Sequence, residues 1–130
     1  MKFLATLAFV FCLSFSYKQN CKKLSNGTYK VELDTMFRKD YGSFEFIISD
    51  QICVLKRPTY AEQFNITWLP NCGFRLKNAF NVFPHDPLNK LSQIGEPWYD
   101  ITKVDQDTIY ITYRLNLHIQ VYSGRLVKIE

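Results

Sequence analysis

Apolar and polar residues alternate with a period of two along most of the chain. Such alternation predicts β-strands that are buried on one face, because successive side chains of a strand point to opposite faces of its sheet. Residues typical of turns separate the alternating segments from one another. The alternation is clear at residues 29–33, 44–48, 64–68 and 74–77, and residues 51–55 form an apolar run typical of a buried strand.

The longest alternating segment is residues 109–121. Every odd-numbered position in it is Ile, Tyr, Leu or Val, and the even-numbered positions include threonine, arginine, asparagine, histidine and glutamine. A single strand of this length is unusual, because most strands have about 3 to 10 residues. Two interpretations stay open: the strand bends, as strands of barrels do, or a loop of odd length interrupts it near residues 114–116.

Two hairpin turns are predicted in the last third of the chain. Residues 105–107, Asp-Gln-Asp, are of the types that favour a turn at the tip of a hairpin. Residues 123–125 predict a second hairpin with a three-residue loop, in which Gly124 supplies a positive φ. In that hairpin Val121 would lie opposite Val127, with both side chains on one face of the sheet.

Residues 78–97 break the strand pattern. Three prolines and a glycine interrupt the segment, so we expect one long loop there. A short helix over residues 86–91 fits inside it, with Asp86 as the cap and Pro87 at the first helical position. The apolar side chains of the segment indicate that the loop packs over one end of the sheet.

These elements predict an all-β fold with about eight strands and no long helix. Short connections between successive strands favour an antiparallel meander that closes into a small barrel or half-barrel. A sandwich of two sheets is the alternative. We expect a single domain that spans residues 17–130.

Residues 1–16 have the features of a secretory signal peptide. A positively charged start precedes an apolar run at residues 3–15, which is too short for a membrane span of about 20 residues. Ser14 and Ser16 place small side chains at a cleavage site. We therefore expect a secreted or periplasmic protein that begins near Tyr17.

The composition is that of an ordinary globular protein. The chain has 130 residues, of which 47% are hydrophobic and 22% charged, and this balance excludes intrinsic disorder. Its net charge of +4 is small, and its cations come in scattered pairs rather than a stripe. Nucleic acid is therefore not an expected partner.

Removal of residues 1–16 would leave three cysteines, at positions 21, 53 and 72. Their spacings match no zinc or redox motif, so we expect no metal site. The favoured arrangement is one bridge between Cys21 and Cys72, with Cys53 as a free thiol in a buried strand. Neither Cys21 nor Cys12 has the small neighbours that lipid attachment requires, so a lipid anchor is not expected.

Four segments carry a resemblance to a known family, and one of them is residues 46–57, which begins Phe-Ile-Ile and ends at Arg57. A cysteine opens residues 21–30, Cys-Lys-Lys-Leu-Ser-Asn-Gly-Thr-Tyr-Lys; a Trp-Leu-Pro-Asn-Cys-Gly-Phe-Arg-Leu strand follows at 68–76; and residues 124–129 close the chain. Together they resemble small exported β-proteins of Bacteroidetes-type bacteria, and more distantly lipocalins. The resemblance implies export, a lipocalin-like barrel and the Cys21–Cys72 bridge, and it implies no activity.

Few residues offer catalytic chemistry. His85 falls in the proline-rich segment and His118 on the polar face of a predicted strand, and neither has a nucleophile beside it. Asp100, Asp105 and Asp107 could serve as an acid and base pair, but a turn explains their positions better. We expect no enzyme, no catalytic residue and no cofactor.

Two functions remain open. The first is a binding module whose barrel takes a small apolar ligand. The second is a structural or protein-interaction module of the envelope or the secreted milieu, with a fully packed core and an edge strand or the 78–97 loop as its contact surface. A monomer is expected in both. The residues predicted to line the ligand site are Tyr29, Phe46, Trp68, Trp98 and Tyr113.

Overall fold

The structure, a computed structural model, describes residues 23–78 and 96–130. The predicted signal peptide at 1–16, Cys21 and the predicted helix at 86–91 lie outside these ranges. Within them the chain forms eight strands and one short helix. The elements are β1 Gly27–Leu33, α1 Thr35–Tyr41, β2 Phe44–Ser49, β3 Ile52–Lys56, β4 Ala61–Leu69, β5 Gly73–Asn78, β6 Trp98–Asp105, β7 Thr108–Arg114 and β8 Gln120–Lys128.

The eight strands form one closed antiparallel barrel. Each strand pairs with the next strand along the chain, and β8 pairs with β1 to complete the circle. The predicted meander barrel is confirmed, and the half-barrel and the sandwich are wrong. The sheet closes on itself, and its shortest strand contact is between β5 and β6, where only Gly73 lies opposite Asp100 and Phe74 opposite Tyr99. The use of an edge strand as a contact surface stays a prediction.

The period-two pattern places its apolar side chains inside the barrel. In β1 and β2 the predicted alternating positions are all buried, and in β3 the thiol of Cys53 and the side chain of Leu55 point inward. The hydrophobic effect therefore fixes which face of each strand is interior. The buried residues of these three strands are Tyr29, Val31, Leu33, Phe44, Phe46, Ile48, Cys53 and Leu55.

The predicted hairpin at residues 123–125 is wrong. Gly124 lies within β8, opposite Leu33 of β1 and Ile111 of β7. A Cβ atom at this position would lie 2.4 Å from the carbonyl oxygen of Glu32 and 2.8 Å from the Cα of Leu33. The glycine is needed for a close approach of two strands, which in sequence looks the same as a glycine in a turn.

The segment 109–121 is interrupted by a loop, which confirms the second of the two interpretations and rules out a single bent strand. A five-residue loop at 115–119 separates β7 from β8. A β-bulge follows directly, because Tyr113 pairs with Tyr122 and leaves Val121 as an extra residue on β8. The bulge reverses the parity, so even-numbered residues of β8 face the interior and the odd-numbered stripe ends at Tyr113.

Helix α1 is not indicated by the sequence pattern. It has only seven residues, and the partly buried side chains of Phe37 and Tyr41 pack against the core. Gly42, with a φ of 68°, ends the helix and donates its N–H to the carbonyl oxygen of Arg38. The described residues contain no helix that is both long and apolar enough to span a membrane.

The barrel has two different ends. At the helix end lie α1, the β3–β4 loop at 57–60 and the β7–β8 loop at 115–119. At the turn end the strands are joined by the short connections 50–51, 70–72 and 106–107. The last of these confirms the turn predicted from the Asp-Gln-Asp sequence.

Candidate functional site

Aromatic rings fill the middle of the barrel. We call these interior rings, which contact one another both between neighbouring strands and across the barrel, the aromatic band. The ring of Tyr99 stacks on Phe74 at 4.8 Å between centroids and on Tyr113 at 4.3 Å, and meets Phe46 edge-on at 5.8 Å. Such geometries are favourable beyond the burial of the rings. The band consists of Phe44, Phe46, Trp68, Phe74, Tyr99, Tyr113 and Tyr122.

The band leaves no room for water beside its central members. The side chains of Phe46, Phe74 and Tyr122 have an exposed fraction of 0%, and that of Tyr99 is 1%. A cavity large enough for a water molecule would appear as exposed surface on the residues that line it. The centre of the barrel is therefore occupied by side chains, at the close packing typical of protein interiors.

The polar atoms of the band are paired with each other. The hydroxyl groups of Tyr99 and Tyr122 share a hydrogen bond inside the barrel. Burial raises the pKa of Tyr99 well above its ordinary value of 10, and the neighbouring Tyr122 and Tyr113 raise it further. The Tyr99 phenol is therefore neutral at physiological pH, as a buried and hydrogen-bonded hydroxyl should be.

The structure separates the five residues predicted to line a ligand site. Tyr29, Phe46 and Tyr113 are buried in the interior, and Trp68 lies on the interior face with part of its ring exposed. Trp98 lies on the outer face of β6, because its neighbour Tyr99 points inward. Their role in ligand binding stays a prediction.

The side chain of Asp100 lies on the same outer face as that of Trp98. Its two carboxylate oxygens accept hydrogen bonds from the indole Nε1 of Trp98 and from Nε of Arg114, both at 2.9 Å. Asp105 is five residues further along β6, a distance of about 16 Å. Asp107 lies beyond the end of β6, in the turn at 106–107. A catalytic role for the three aspartates stays untested.

The described histidine lies in a loop, and the described residues form no metal site. His118 lies in the exposed 115–119 loop, so its predicted place on the polar face of a strand is wrong. His85 lies outside the described residues. Within residues 23–78 and 96–130, no group of three or more His, Cys, Asp or Glu side chains is placed to hold a metal ion.

The two described cysteines differ. Cys53 is a free thiol with no exposed surface, and burial raises its pKa, so it behaves as a small apolar side chain. Cys72, in the β4–β5 turn, is disulfide-bonded. Its partner is not among the described residues, and the pairing with Cys21 stays a prediction.

The two most exposed large apolar side chains of the described residues lie at the helix end. Met36 of α1 and Leu117 are 77% and 79% exposed, and Ile119 is 49% exposed. We call these three residues the apolar tip. The sequence pattern of residues 109–121 predicts that Leu117 and Ile119 lie in a strand with their side chains buried. That prediction is wrong, because both lie in the β7–β8 loop.

Hydrogen bonds order the loop that carries Leu117. The side-chain oxygen of Asn116 accepts the backbone N–H groups of His118 at 2.8 Å and Ile119 at 2.9 Å. The loop is closed by the N–H of Leu115, which donates to the carbonyl oxygen of Ile119 at 3.0 Å. The turn built on the asparagine therefore holds Leu117 outward in a defined conformation.

The two parts of the apolar tip are joined through β8. The N–H of Asp34, which precedes α1, donates to the carbonyl oxygen of Ser123 at 2.9 Å. The hydroxyl of Ser123 in turn donates to the carboxylate of Asp34. These contacts fix the start of α1 against the strand that follows the β7–β8 loop.

Comparisons with known proteins assign this chain to no family. No protein-family model matches the sequence, and no curated protein or solved structure matches it either. The resemblance to small exported β-proteins therefore stays a prediction, and a function has to be argued from the barrel and its surface.

Proposed function

We propose that this protein is an exported protein-interaction module, a barrel with a filled core that binds a partner protein through the apolar tip. The observation that carries the proposal is the exposure of Met36 and Leu117 on two ordered connections at the same end of the barrel. Apolar side chains that form one exposed patch are typical of interaction sites, and the proposal is that Met36 and Leu117 form such a patch.

The filled interior argues against a carrier of small apolar ligands. A ligand in the centre of the barrel would have to displace at least one ring of the aromatic band. Each such ring buries about 150 to 250 Å², so its exposure costs about 4 to 6 kcal/mol at 25 cal/mol per Å². Contacts with a small ligand would first have to offset that cost.

The apolar tip has the features of an interface core. Burial of a methionine or leucine side chain contributes about 1.5 to 3 kcal/mol, which the isolated barrel leaves unused at Met36 and Leu117. A few apolar anchors commonly supply most of the binding energy of an interface. Because Asn116 already orders its loop, Leu117 would lose little conformational entropy on binding.

The charges of the segment next to Met36 favour a partner protein over an anionic lipid surface. Asp34 and Asp40 offset Arg38 and Lys39, so the segment that presents Met36 has no net positive charge. Attraction to anionic lipids depends on an excess of Lys and Arg near the membrane. A partner protein needs no such excess, because its own polar groups can pair with charges of both signs around the tip.

Export is part of the proposal. It is supported by the signal-like sequence of residues 1–16 and by the disulfide bond at Cys72, since disulfides persist in oxidising compartments. A buried free thiol at Cys53 is compatible with such a compartment, because burial keeps it from oxidants.

The test compares two double variants of the protein expressed from the full chain. Met36→Ser with Leu117→Ser removes the apolar tip, and Ile52→Ser with Ile129→Ser removes two exposed apolar side chains at the turn end. Proteins retained by the wild type from the extracytoplasmic fraction of its cells are identified, purified and titrated against all three forms.

We expect the tip variant to weaken binding of the purified partner at least about tenfold, because a lost anchor of 1.4 kcal/mol or more has that effect. The turn-end variant should bind within about twofold of the wild type. Equal binding by all three forms contradicts the proposal. So does binding of the wild type to protein-free vesicles with loss in the tip variant, which would assign the tip to a membrane surface.

A further inference from the structure

We infer that a pocket on the outer face of β1, β2 and β3 binds a small organic anion, recognised through a phosphate or carboxylate group. The pocket has a volume of about 210 Å³ and lies near the helix end. It is separate from the apolar tip, which is on α1 and the β7–β8 loop. The residues that carry the argument are Lys30, Ser43, Phe44, Glu45, Lys56 and Arg57.

Strand register brings two lysines to the pocket. Lys30 of β1 lies opposite Glu45 of β2, and Glu45 lies opposite Lys56 of β3. Opposed residues of adjacent strands have their Cβ atoms about 5 Å apart. Two ammonium groups therefore flank one carboxylate, and this row alone has an excess of one positive charge.

Arg57 adds a third cation in a fixed position. Its Nη1 donates to the carbonyl oxygen of Tyr41 at 2.5 Å, and its guanidinium lies 4.6 Å from the centre of the Phe44 ring. The backbone acceptor and the ring hold the guanidinium at the pocket before any ligand arrives. Preorganisation of this kind lowers the entropy that binding would lose.

A second cavity continues the positive surface. It has a volume of about 260 Å³ and shares Lys30 and Ser43 with the first. Arg38 lines it and is held by a hydrogen bond from its Nε to the carbonyl oxygen of Leu33 at 2.8 Å. The acidic residue there, Glu32, is ion-paired with Lys30 inside the cavity and with a further cation outside it.

That cation is Arg125, whose Nε donates to the Glu32 carboxylate at 2.7 Å. The hydrogen bond from Arg125 lowers the pKa of Glu32. The Glu32 carboxylate also lies 3.8 Å from Nζ of Lys30, so it is shared between Arg125 and Lys30. Across both cavities the four lining cations, Lys30, Arg38, Lys56 and Arg57, outnumber the two lining carboxylates, Glu32 and Glu45.

The donors of the pocket define the class of ligand. Lysine and arginine side chains only donate hydrogen bonds, and the hydroxyl of Ser43 can also donate. A group with several acceptor oxygens and a negative charge can accept hydrogen bonds from more than one of them. The volume is below the 300 to 1,000 Å³ of common ligand sites, so the ligand is small.

The experiment is an NMR titration of the ¹⁵N-labelled protein expressed from the full chain. The probes are inorganic phosphate, glycerol 3-phosphate and octanoate, each at constant ionic strength up to about 10 mM, a range suited to dissociation constants near 1 mM. These arms distinguish a free phosphate, a phosphate ester and a fatty-acid carboxylate as the source of the anion.

We expect at least one probe to give saturable shifts at Ser43, Lys56 and Arg57. Lys56→Gln changes an exposed side chain and should leave the fold intact, while it weakens that binding several-fold. Lys103 is an exposed residue of β6, so Lys103→Gln removes the same charge elsewhere on the surface. It should change the affinity for the probe less than about twofold. Glu45→Gln removes the carboxylate between the lysines and should tighten binding.

The gain in Glu45→Gln is the result that a merely structural role would not produce. If no probe gives saturable shifts, the inference is wrong. It is also wrong if Lys103→Gln weakens binding as much as Lys56→Gln does, because the protein would then attract anions only through its net charge.

Discussion

The two ends of the barrel differ in the length of their connections. At the turn end three connections have two or three residues, whereas the described connections of the helix end have four to ten. Each of the three short connections contains one non-glycine residue with a positive φ. The three residues are Asp50, Cys72 and Gln106, with φ values of 56°, 59° and 53°. Tight turns close the barrel at one end and present little to a partner. Longer connections at the other end carry the apolar tip and Arg57.

Contacts between distant segments reinforce the turn end. The side-chain oxygen of Asn26 accepts the N–H of Asp50 at 2.8 Å, and its amide group donates to the Asp50 carboxylate at 3.3 Å. The N–H of Ile129 donates to the carbonyl oxygen of Thr28 at 2.8 Å. Hydrogen bonds at this end thus serve closure, whereas at the helix end Asn116 and Tyr41 position groups that face outward.

The largest expected effect is at the close approach of β8 to β1. Gly124→Ala should lower the free energy of unfolding by about 3 kcal/mol, because the added Cβ would overlap the backbone of Glu32 and Leu33. Urea unfolding measures the change. The matched control is Gly42→Ala at the helix end. There the φ is 68° and an added Cβ would make only an ordinary contact with Nη1 of Arg57 at 3.5 Å, so the expected loss is about 1 kcal/mol. Equal losses of unfolding free energy in the two variants would contradict the close approach of β8 to β1.

The second effect concerns the aromatic band and depends on pH. The pKa of Tyr99 is raised in the folded protein, whereas an unfolded tyrosine titrates near 10. Above pH 10 the unfolded chain therefore releases a proton that the folded chain keeps, and stability falls with rising pH. Each such tyrosine contributes a slope of about 1.4 kcal/mol per pH unit.

Unfolding of the wild type and of Tyr99→Phe between pH 9 and about pH 11 tests this slope. Below pH 10 the Tyr99 contribution is fully present, so the two proteins should differ there only by the lost hydrogen bond to Tyr122. Above pH 10 the variant should show the shallower decline. The same slope in both proteins would indicate that the Tyr99 hydroxyl is accessible to water.

At the turn end, Gln106→Gly should raise the free energy of unfolding by up to about 1 kcal/mol. Glycine adopts a φ of 53° without the steric strain that glutamine has there. Thermal and urea unfolding would both show the gain. A loss of stability would mean that the greater entropy of glycine in the unfolded chain outweighs the relief of strain.

The apolar tip should matter least for stability. Met36→Ser with Leu117→Ser removes side chains that are more than three-quarters exposed, so the free energy of unfolding should change by less than about 0.5 kcal/mol. Urea unfolding of the variant and the wild type measures this change in free energy. A loss of 2 kcal/mol or more would place these side chains in the fold of the barrel instead of on its binding surface.

The strands could be predicted from sequence because their alternating patterns are local. Positions 29, 31 and 33 alternate in the chain and in the barrel alike. Gly124 could not be placed, because the closeness of β1 is a property of the folded sheet. The bulge at Val121 has no sequence signal of its own, and it reverses the parity on which the prediction for β8 depended.

The features of the surface were harder to predict than those of the core. Leu117 and Ile119 alternate with polar residues exactly as strand residues would, so their pattern alone indicates burial. Helix α1 is one and a half to two turns long, too short for a helical period to show, and contacts of Phe37 and Tyr41 with the core stabilise it. Lys30 and Lys56 are 26 positions apart, and only strand register brings them to one pocket.

The central claim is that the barrel interior is filled and that binding takes place on its surface. Thermal unfolding with a saturating neutral apolar ligand, such as N-phenyl-1-naphthylamine, tests it most directly. We expect an unchanged melting midpoint, because the rings of the aromatic band occupy the interior. A ligand inside the barrel at 100 times its Kd would add about 2.7 kcal/mol and raise the midpoint by about 10 °C or more, and such a saturable rise would contradict the account.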